Sequence, residues 1–335
     1  MASRSTHASI VRYLDDDDLG SAHRTALLNG LAQRPIAIPP MWFYDEHGSL
    51  LFEEITRLEE YYPTRTERSI LETSSTAIVE RAQPRSLVEL GSGTCEKTRV
   101  LLDAMRDRGL LETIVPLDIS SEMLERSVDE LSSEYPGTEV VGVVADFSGG
   151  FDFLAEFPAR LLAFLGSTIG NFRPDDRSRF LRDVAQSLGP DDWFLLGFDL
   201  VKDPARLVAA YDDAAGVTAA FNRNMLASLN YTFDANFDAE QFEHHAVWNP
   251  DSSSIEMRLR ARSTMDVTLN VLGLELRIHA GEDLLTETCA KFTITGMASE
   301  LSAAGLDVEQ VFSDPDDDFA LMLARRSPSE SAPTT

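Results

Sequence analysis

Cysteine is nearly absent from this 335-residue chain: Cys95 and Cys289 are the only two, far apart in sequence. That excludes a disulfide framework and a Cys-rich zinc site. The six histidines fall in no HExxH or comparable ligand spacing, so no metal centre is expected. The adjacent His244 and His245 read as surface or packing residues. Apolar runs long enough to span a bilayer, about eighteen residues, are also missing. The opening MASRSTHASIVRYLDDDD lacks the apolar stretch of a secretory signal, so a cytoplasmic protein that makes no use of a membrane is expected. Basic residues are few, 29 against 56 acidic ones, for a formal charge of -27. Such a surface repels phosphate backbones and argues against a nucleic-acid partner. The acidic run at 15–18 fits a solvated loop or a helix start rather than a cation site.

What remains is a chain with 43% hydrophobic residues, enough core for one large domain or two moderate ones. From about Leu87 to Leu200, short apolar runs alternate with helical stretches, the signature of parallel α/β units. RSLVEL (85–90) reads as a buried strand that breaks at GSGT. The helix EKTRVLLDAMRDRG follows, with Val100, Leu101, Leu102 and Met105 on one face. TIVPLDIS (113–120) feeds the helix SEMLERSVDELSSE, capped by Ser120 or Ser121. A third strand, TEVVGVVADF, ends near Phe147, and a fourth, ARLLAFLGSTIGN, near Asn171. Pro174 opens another helix, Gly189-Pro190 closes it, and DWFLLGFDL is a fifth strand. ITGMASELSAAG, LDVEQVFSDP and FALMLARR add a helix and two strands. A doubly wound, Rossmann-like sheet is the implied α/β fold.

Two segments break this rhythm, the stretch up to about Thr66 and 202–288. The second starts with the helical DPARLVAAYDDAAGVTAAFNRNMLASLN and then turns to strands. IEMRLRARS (255–263) alternates, with Ile255, Met257, Leu259 and Ala261 inward and Glu256, Arg258, Arg260 and Arg262 outward. LELRIHA (274–280) alternates likewise. Together these segments predict a second, α+β lobe.

LVELGSGT (87–94) is a strand, an acidic residue and a tight Gly-rich turn. Gly91 and Gly93 allow close backbone approach to a ligand, and the next helix N-terminus would offer amides to a carboxylate or phosphate. A dinucleotide fingerprint needs a third glycine where Glu96 stands, which disfavours a nicotinamide enzyme. Asp118, at the end of the next strand, suits ribose hydroxyls. Asp146-Phe147, closing the third, offers a carboxylate and a ring to adenine. Each alone is an ordinary strand-end residue; at successive strand ends of one sheet they point to a nucleoside bearing a carboxylate, the parts of S-adenosylmethionine.

These stretches, with WFYDEHGSLLFEEITRLEEYYPTRTE, LVELGSGTCEKTR, FLGSTIGNF, LVKDPARLVAAYDDAAGVTAAFNRN and GEDLLTETCAKF, closely resemble the histidine-specific N-alpha-methyltransferases, which make hercynine on the route to ergothioneine. The resemblance runs from about Trp42 to Arg325. It implies a class I methyltransferase-type doubly wound sheet over 66–201 and 289–326. It also implies a discontinuous α+β substrate-binding lobe over 1–65 and 202–288, with a disordered tail at 327–335. Gly91, Lys97, Asp118, Asp146 and Phe147 match the family's cofactor contacts, and Tyr61, Asn171, Tyr211 and Glu287 its histidine-binding residues. Bottom-up, Lys97 is a solvated helix residue and the two tyrosines are packing aromatics; only the resemblance gives them these roles. Met257, on the apolar face of its strand, is lobe core that also touches the imidazole. The family pattern has Ser two residues after the acidic one, where this chain has Cys289, a weaker hydrogen-bonding group.

The implied chemistry asks little of any side chain. A sulfonium methyl is a good electrophile and a neutral amine a good nucleophile, so aligning them supplies about 7 to 11 kcal/mol by proximity. No catalytic residue is therefore expected, and a monomer acting on L-histidine is the simplest partner reading. The alternatives are an N-methyltransferase for another aromatic amino acid or small amine, and a silent S-adenosylmethionine-binding scaffold.

Overall fold

The computed structural model describes residues 8–13, 16–146, 150–157 and 159–328. The chain divides into two compact units: Met1–Asp15, Thr66–Leu200 and Phe292–Thr335 form one, Asp16–Arg65 and Val201–Lys291 the other. The first holds an eight-stranded sheet in the order Ala8–Arg12, Glu139–Val144, Thr113–Asp118, Ser86–Leu90, Arg160–Phe164, Trp193–Asp199, Phe319–Arg326 and Leu306–Ser313. The first six are mutually parallel; Phe319–Arg326 runs antiparallel to both its neighbours, so Leu306–Ser313 again runs with the first six. The central strands are buried along their whole length, which is why they read as mainly apolar runs. Ser86–Leu90 lies between strands that follow it in sequence on either side, so the winding reverses there. In such sheets ligands bind outside the strand ends at that point.

Helix Arg99–Asp107 packs Leu101, Leu102 and Met105 into the core with Leu87, Ile114, Leu124 and Val128. Full burial of each such side chain contributes about 1.5 to 3 kcal/mol. Ser120 caps helix Ser121–Glu134 by accepting from the Met123 amide. Gly142 permits close packing, because a Cβ there would come within 2.7 Å of Val128 Cγ2. Among the described residues no helix is long and apolar enough to cross a membrane.

Several expectations are corrected. The stretch 1–65 does not belong wholly to the second unit, since Ala8–Arg12 joins the large sheet beside Glu139–Val144, partly burying Ile10. Cys289–Lys291, expected with the large sheet, belong to the second unit; the strand Asp283–Ala290 runs through the expected boundary. Ser327, placed in the tail, donates its amide to Gly305 O. The fourth strand stops at Phe164 rather than near Asn171, because Gly166 and Ser167 take left-handed φ of 78° and 59° that no strand accommodates. Of the acidic run, Asp15 lies outside the described residues and the rest opens helix Asp16–Leu31.

The second unit has a four-stranded sheet, in the order Ile36–Ala37, Asp283–Ala290, Ser254–Ala261 and Phe242–Asn249, with a separate hairpin of Met265–Leu269 and Leu274–Ile278. Its core gathers Phe43, Leu207, Phe221, Met225, Leu259 and Leu284, with Phe43 and Phe221 stacked at 4.5 Å. Asp45 caps helix Glu46–Ile55 through the Gly48 amide at 2.7 Å and accepts from Asn224 at 2.7 Å. A Cβ at Gly48 would collide with the Phe43 carbonyl. The stretch predicted as one helix from 203 is two, Pro204–Tyr211 and Val217–Phe233. Gly216 turns the chain at φ 77°, and Asp213 caps the second helix through the Val217 and Thr218 amides. Glu256, predicted to face outward, is buried and accepts from Asn249 at 2.8 Å.

Candidate functional site

At the winding reversal the chain leaves Leu90 through a turn that it bonds to the neighbouring strand. The Gly91 and Ser92 amides donate to Leu117 O at 2.8 and 2.9 Å. The Gly93 amide donates to Asp118 Oδ2 at 3.0 Å, and the Ser120 amide to Asp118 Oδ1 at 3.0 Å. Gly91, Gly93 and Cys95 all take left-handed φ, 68°, 50° and 54°. A Cβ added at Gly93 meets nothing within 4 Å, so the turn presents open space on that side. Asp118 is thus both a half-buried carboxylate at a strand end and the anchor of the turn; each oxygen keeps a further lone pair for a ribose hydroxyl. Asp146 is half-buried just beyond the adjacent strand Glu139–Val144. Phe147 lies outside the described residues.

One expectation changes. The helix does not begin directly after GSGT but at Arg99. Its first amides are satisfied within the turn: Arg99 donates to Cys95 O and Val100 to Lys97 O. The positive group here is instead the Lys97 ammonium, paired with Glu67. Glu89 is buried nearby, and its Oε2 has no hydrogen-bond partner among the described residues. Burial pushes its carboxyl up to about 7, opposed chiefly by the Thr98 hydroxyl and the Lys97 charge. An open Gly turn, an ammonium, an unsatisfied buried acid and two carboxylates at successive strand ends fit a nucleoside carrying an amino-acid end.

Asn171, half-buried, closes the short 3-10 turn Thr168–Asn171 in the same unit. That turn is pinned: Ser167 Oγ accepts the Asp199 amide at 3.0 Å, and the Gly166 amide donates to both Glu67 oxygens at 2.9 Å.

In the second unit, Tyr61, Tyr211, Met257 and Cys289 lie in one buried cluster. Tyr61 and Tyr211 meet edge to face at 6.0 Å. Met257 stands opposite Glu287 across the strand pair and Ile255 opposite Cys289, so these four side chains share one face of the sheet. A register shift between Leu285 and Glu287 brings Glu287 and Cys289 to that face. Glu287 is half-buried there, a carboxylate among apolar neighbours.

Three residues escaped sequence reasoning, and His244, read as surface or packing, is packing. Lys291, buried, donates to Tyr211 Oη at 2.9 Å and to Cys289 Sγ at 3.3 Å, leaving the phenol O–H to point elsewhere. His244, buried, bonds through Nε2 to Tyr211 O at 2.9 Å and through Nδ1 to Asn222 Nδ2 at 2.8 Å. Burial lowers its pKa, and accepting from Asn222 requires the neutral ring. Glu67 and Glu89 are the other two that escaped. With Lys291 they lie inside the stretches quoted above, but nothing in their spacing distinguishes a buried charge from a solvated one.

A doubly wound sheet of this order, with a Gly-rich turn and strand-end carboxylates at the reversal, defines a class I methyltransferase-type enzyme that uses S-adenosylmethionine. The family model described as histidine-specific, S-adenosylmethionine-dependent methyltransferase matches residues 23–326, and the chain belongs to that family. It is 50% identical over 318 residues to the histidine N-alpha-methyltransferase of Mycolicibacterium smegmatis, covering 95% of this chain and 99% of that one. The histidine N-alpha-methyltransferase of Mycobacterium tuberculosis is 46% identical over 321 residues, with the same coverage. Ergothioneine biosynthesis protein 1 of Schizosaccharomyces pombe is 32% identical over 242 residues, 69% of this chain and 31% of that one.

Proposed function

We propose that this chain transfers three methyl groups from S-adenosylmethionine to the α-amino nitrogen of L-histidine, giving hercynine in the first step of ergothioneine biosynthesis. The observation that carries the reading is Glu287, a carboxylate sharing a sheet face with Met257 and Cys289. A ring bearing an N–H offers that carboxylate a hydrogen-bond donor; a phenylalanine ring offers it none. S-adenosylmethionine supplies an electrophilic sulfonium methyl when bound.

Gly91 and Gly93 give room for the cofactor, Asp118 holds its ribose, and Asp146 with Phe147 takes the adenine. Lys97 takes the carboxylate of its methionyl end. Asn171 and Tyr211 hold the main-chain end of histidine. Lys291 donates to the Tyr211 oxygen, which directs the phenol proton toward an anion such as the substrate carboxylate. Glu287 accepts from the imidazole N–H, a charge-assisted bond of about 1.5 to 3 kcal/mol. Tyr61 and Met257 pack the ring, with Cys289 beside them. No side chain is assigned a proton-transfer role; the amine binds after losing its proton, since an ammonium has no lone pair. The protein acts in the cytoplasm as a monomer.

The test is mass spectrometry of each of the twenty amino acids incubated with the enzyme and S-adenosylmethionine. Histidine is expected to gain up to three methyls and the others none. Preferential methylation of tryptophan, phenylalanine or another amino acid would favour the alternative substrate reading, and no methylation at all the scaffold reading.

A further inference from the structure

Glu67 is a fully buried carboxylate, 0% exposed, with no part in the roles above. It pairs with Lys97, and both its oxygens accept the Gly166 amide at 2.9 Å. Gly197 makes room for it, because a Cβ there would collide with Glu67 Oε1. The pair is one-sided: the carboxylate is sealed, whereas the Lys97 side chain is 18% exposed. A Cβ built on Gly166 would lie 3.5 Å from Lys97 Nζ, which places the ammonium beside the turn that follows strand Arg160–Phe164.

A lysine on a flexible four-carbon stem has many rotamers, and holding it in one costs side-chain entropy. A buried anion fixed by a backbone amide selects one of them in advance. The ammonium carries three donors, so the bond to Glu67 leaves capacity for a second anion.

We propose that Glu67 is a positioning residue: it fixes the Lys97 ammonium where the carboxylate of the cofactor's methionyl end binds, and so sets cofactor affinity without touching the cofactor. The inference rests on the reading of Lys97 as a cofactor contact.

Calorimetry with two ligands tests it. S-adenosylhomocysteine has the amino-acid carboxylate, and 5′-methylthioadenosine lacks it. Glu67→Gln keeps the shape and an acceptor for the Gly166 amide but removes the charge. Affinity for S-adenosylhomocysteine is expected to fall about tenfold while that for 5′-methylthioadenosine is unchanged. Lys97→Met is expected to show the same selective loss, and the double variant no more than Lys97→Met alone. The double variant leaves no unpaired buried charge, so the comparison holds even if Glu67→Gln alone does not fold. Equal losses for both ligands in Glu67→Gln would mark a merely structural role and overturn the proposal. So would a further loss of S-adenosylhomocysteine affinity on going from Lys97→Met to the double variant, or a loss in Lys97→Met without one in Glu67→Gln. Unchanged S-adenosylhomocysteine affinity in Lys97→Met would remove the reading of Lys97 itself, and the proposal with it.

Discussion

In the parallel-sheet unit, Gly91, Gly93, Asp118 and Asp146 lie at consecutive strand ends, and hydrogen bonds to Leu117 O and the Asp118 carboxylate hold the Gly91–Gly93 turn. In the other unit, Tyr61, Tyr211, Met257, Glu287 and Cys289 come from widely separated segments, and side-chain packing on one sheet face assembles them. On the proposed reading, the first arrangement presents chain geometry to the cofactor and the second presents side-chain chemistry to the substrate. Damage to the first should therefore weaken cofactor binding whatever the substrate. Damage to the second should change substrate choice with cofactor affinity intact.

Asp118→Ala should have the largest effect. It removes the proposed ribose acceptor and also frees the Gly93 and Ser120 amides that the carboxylate holds. A loss of about 3 kcal/mol, on the order of a hundredfold in S-adenosylmethionine affinity, is expected by calorimetry. Unchanged affinity in the folded variant would move the ribose to another strand end.

Glu287→Ala comes next. Histidine kcat/KM should fall by about ten- to a hundredfold, while tryptophan or phenylalanine gains, and S-adenosylhomocysteine affinity should not change. A variant that keeps its full preference for histidine would mean that the imidazole is recognised elsewhere.

Glu89 separates the two arrangements by pH. Its folded-state pKa of about 7 lies above the ordinary value of 4.5, so the folded protein holds this proton more tightly than the unfolded chain. The stability it contributes is fully present below about pH 4.5 and is lost as pH rises through 7. Thermal unfolding of the ligand-free protein at pH 5 and pH 8 should show a smaller drop in Tm for Glu89→Gln than for the unaltered chain. Parallel drops would mean that Glu89 is already ionised in the fold.

The smallest effect concerns Cys289. Lys291 donates to its sulfur, and Glu287 shares its face. Restoring serine should lower the histidine KM by a few-fold with kcat unchanged, one neutral hydrogen bond of about 0.5 to 1.5 kcal/mol. An unchanged KM, with equal alkylation of Cys289 in the presence and absence of histidine, would take the side chain out of the site.

The contrast also explains what the sequence conveyed. Strand, turn and strand-end carboxylate are local events, so the Gly91–Gly93 turn and Asp118 were legible from spacing. The errors came where a local signal was outvoted. An apolar run continued past Phe164, yet Gly166 and Ser167 turn the chain there. Helical propensity ran through 212–216, yet Asp213 and Gly216 break it. Ala8–Arg12 stands alone without a flanking α/β rhythm, and only pairing with Glu139–Val144 at the sheet edge makes it a strand, mostly exposed. Tyr61, Tyr211 and Glu287 carried no local mark of function, and only the family resemblance proposes them as site residues. Lys291 and Glu67 were missed because their burial depends on partners distant in sequence: Tyr211 for one, Lys97 and Gly166 for the other.

The most direct test is carbon NMR of the product formed from histidine and S-adenosylmethionine labelled with ¹³C in the transferred methyl. A single trimethylammonium resonance, with the imidazole shifts of unmodified ring nitrogens, is the predicted spectrum. A methyl on a ring nitrogen, or a product that stops at one methyl on the α-amino group under excess donor, would contradict it.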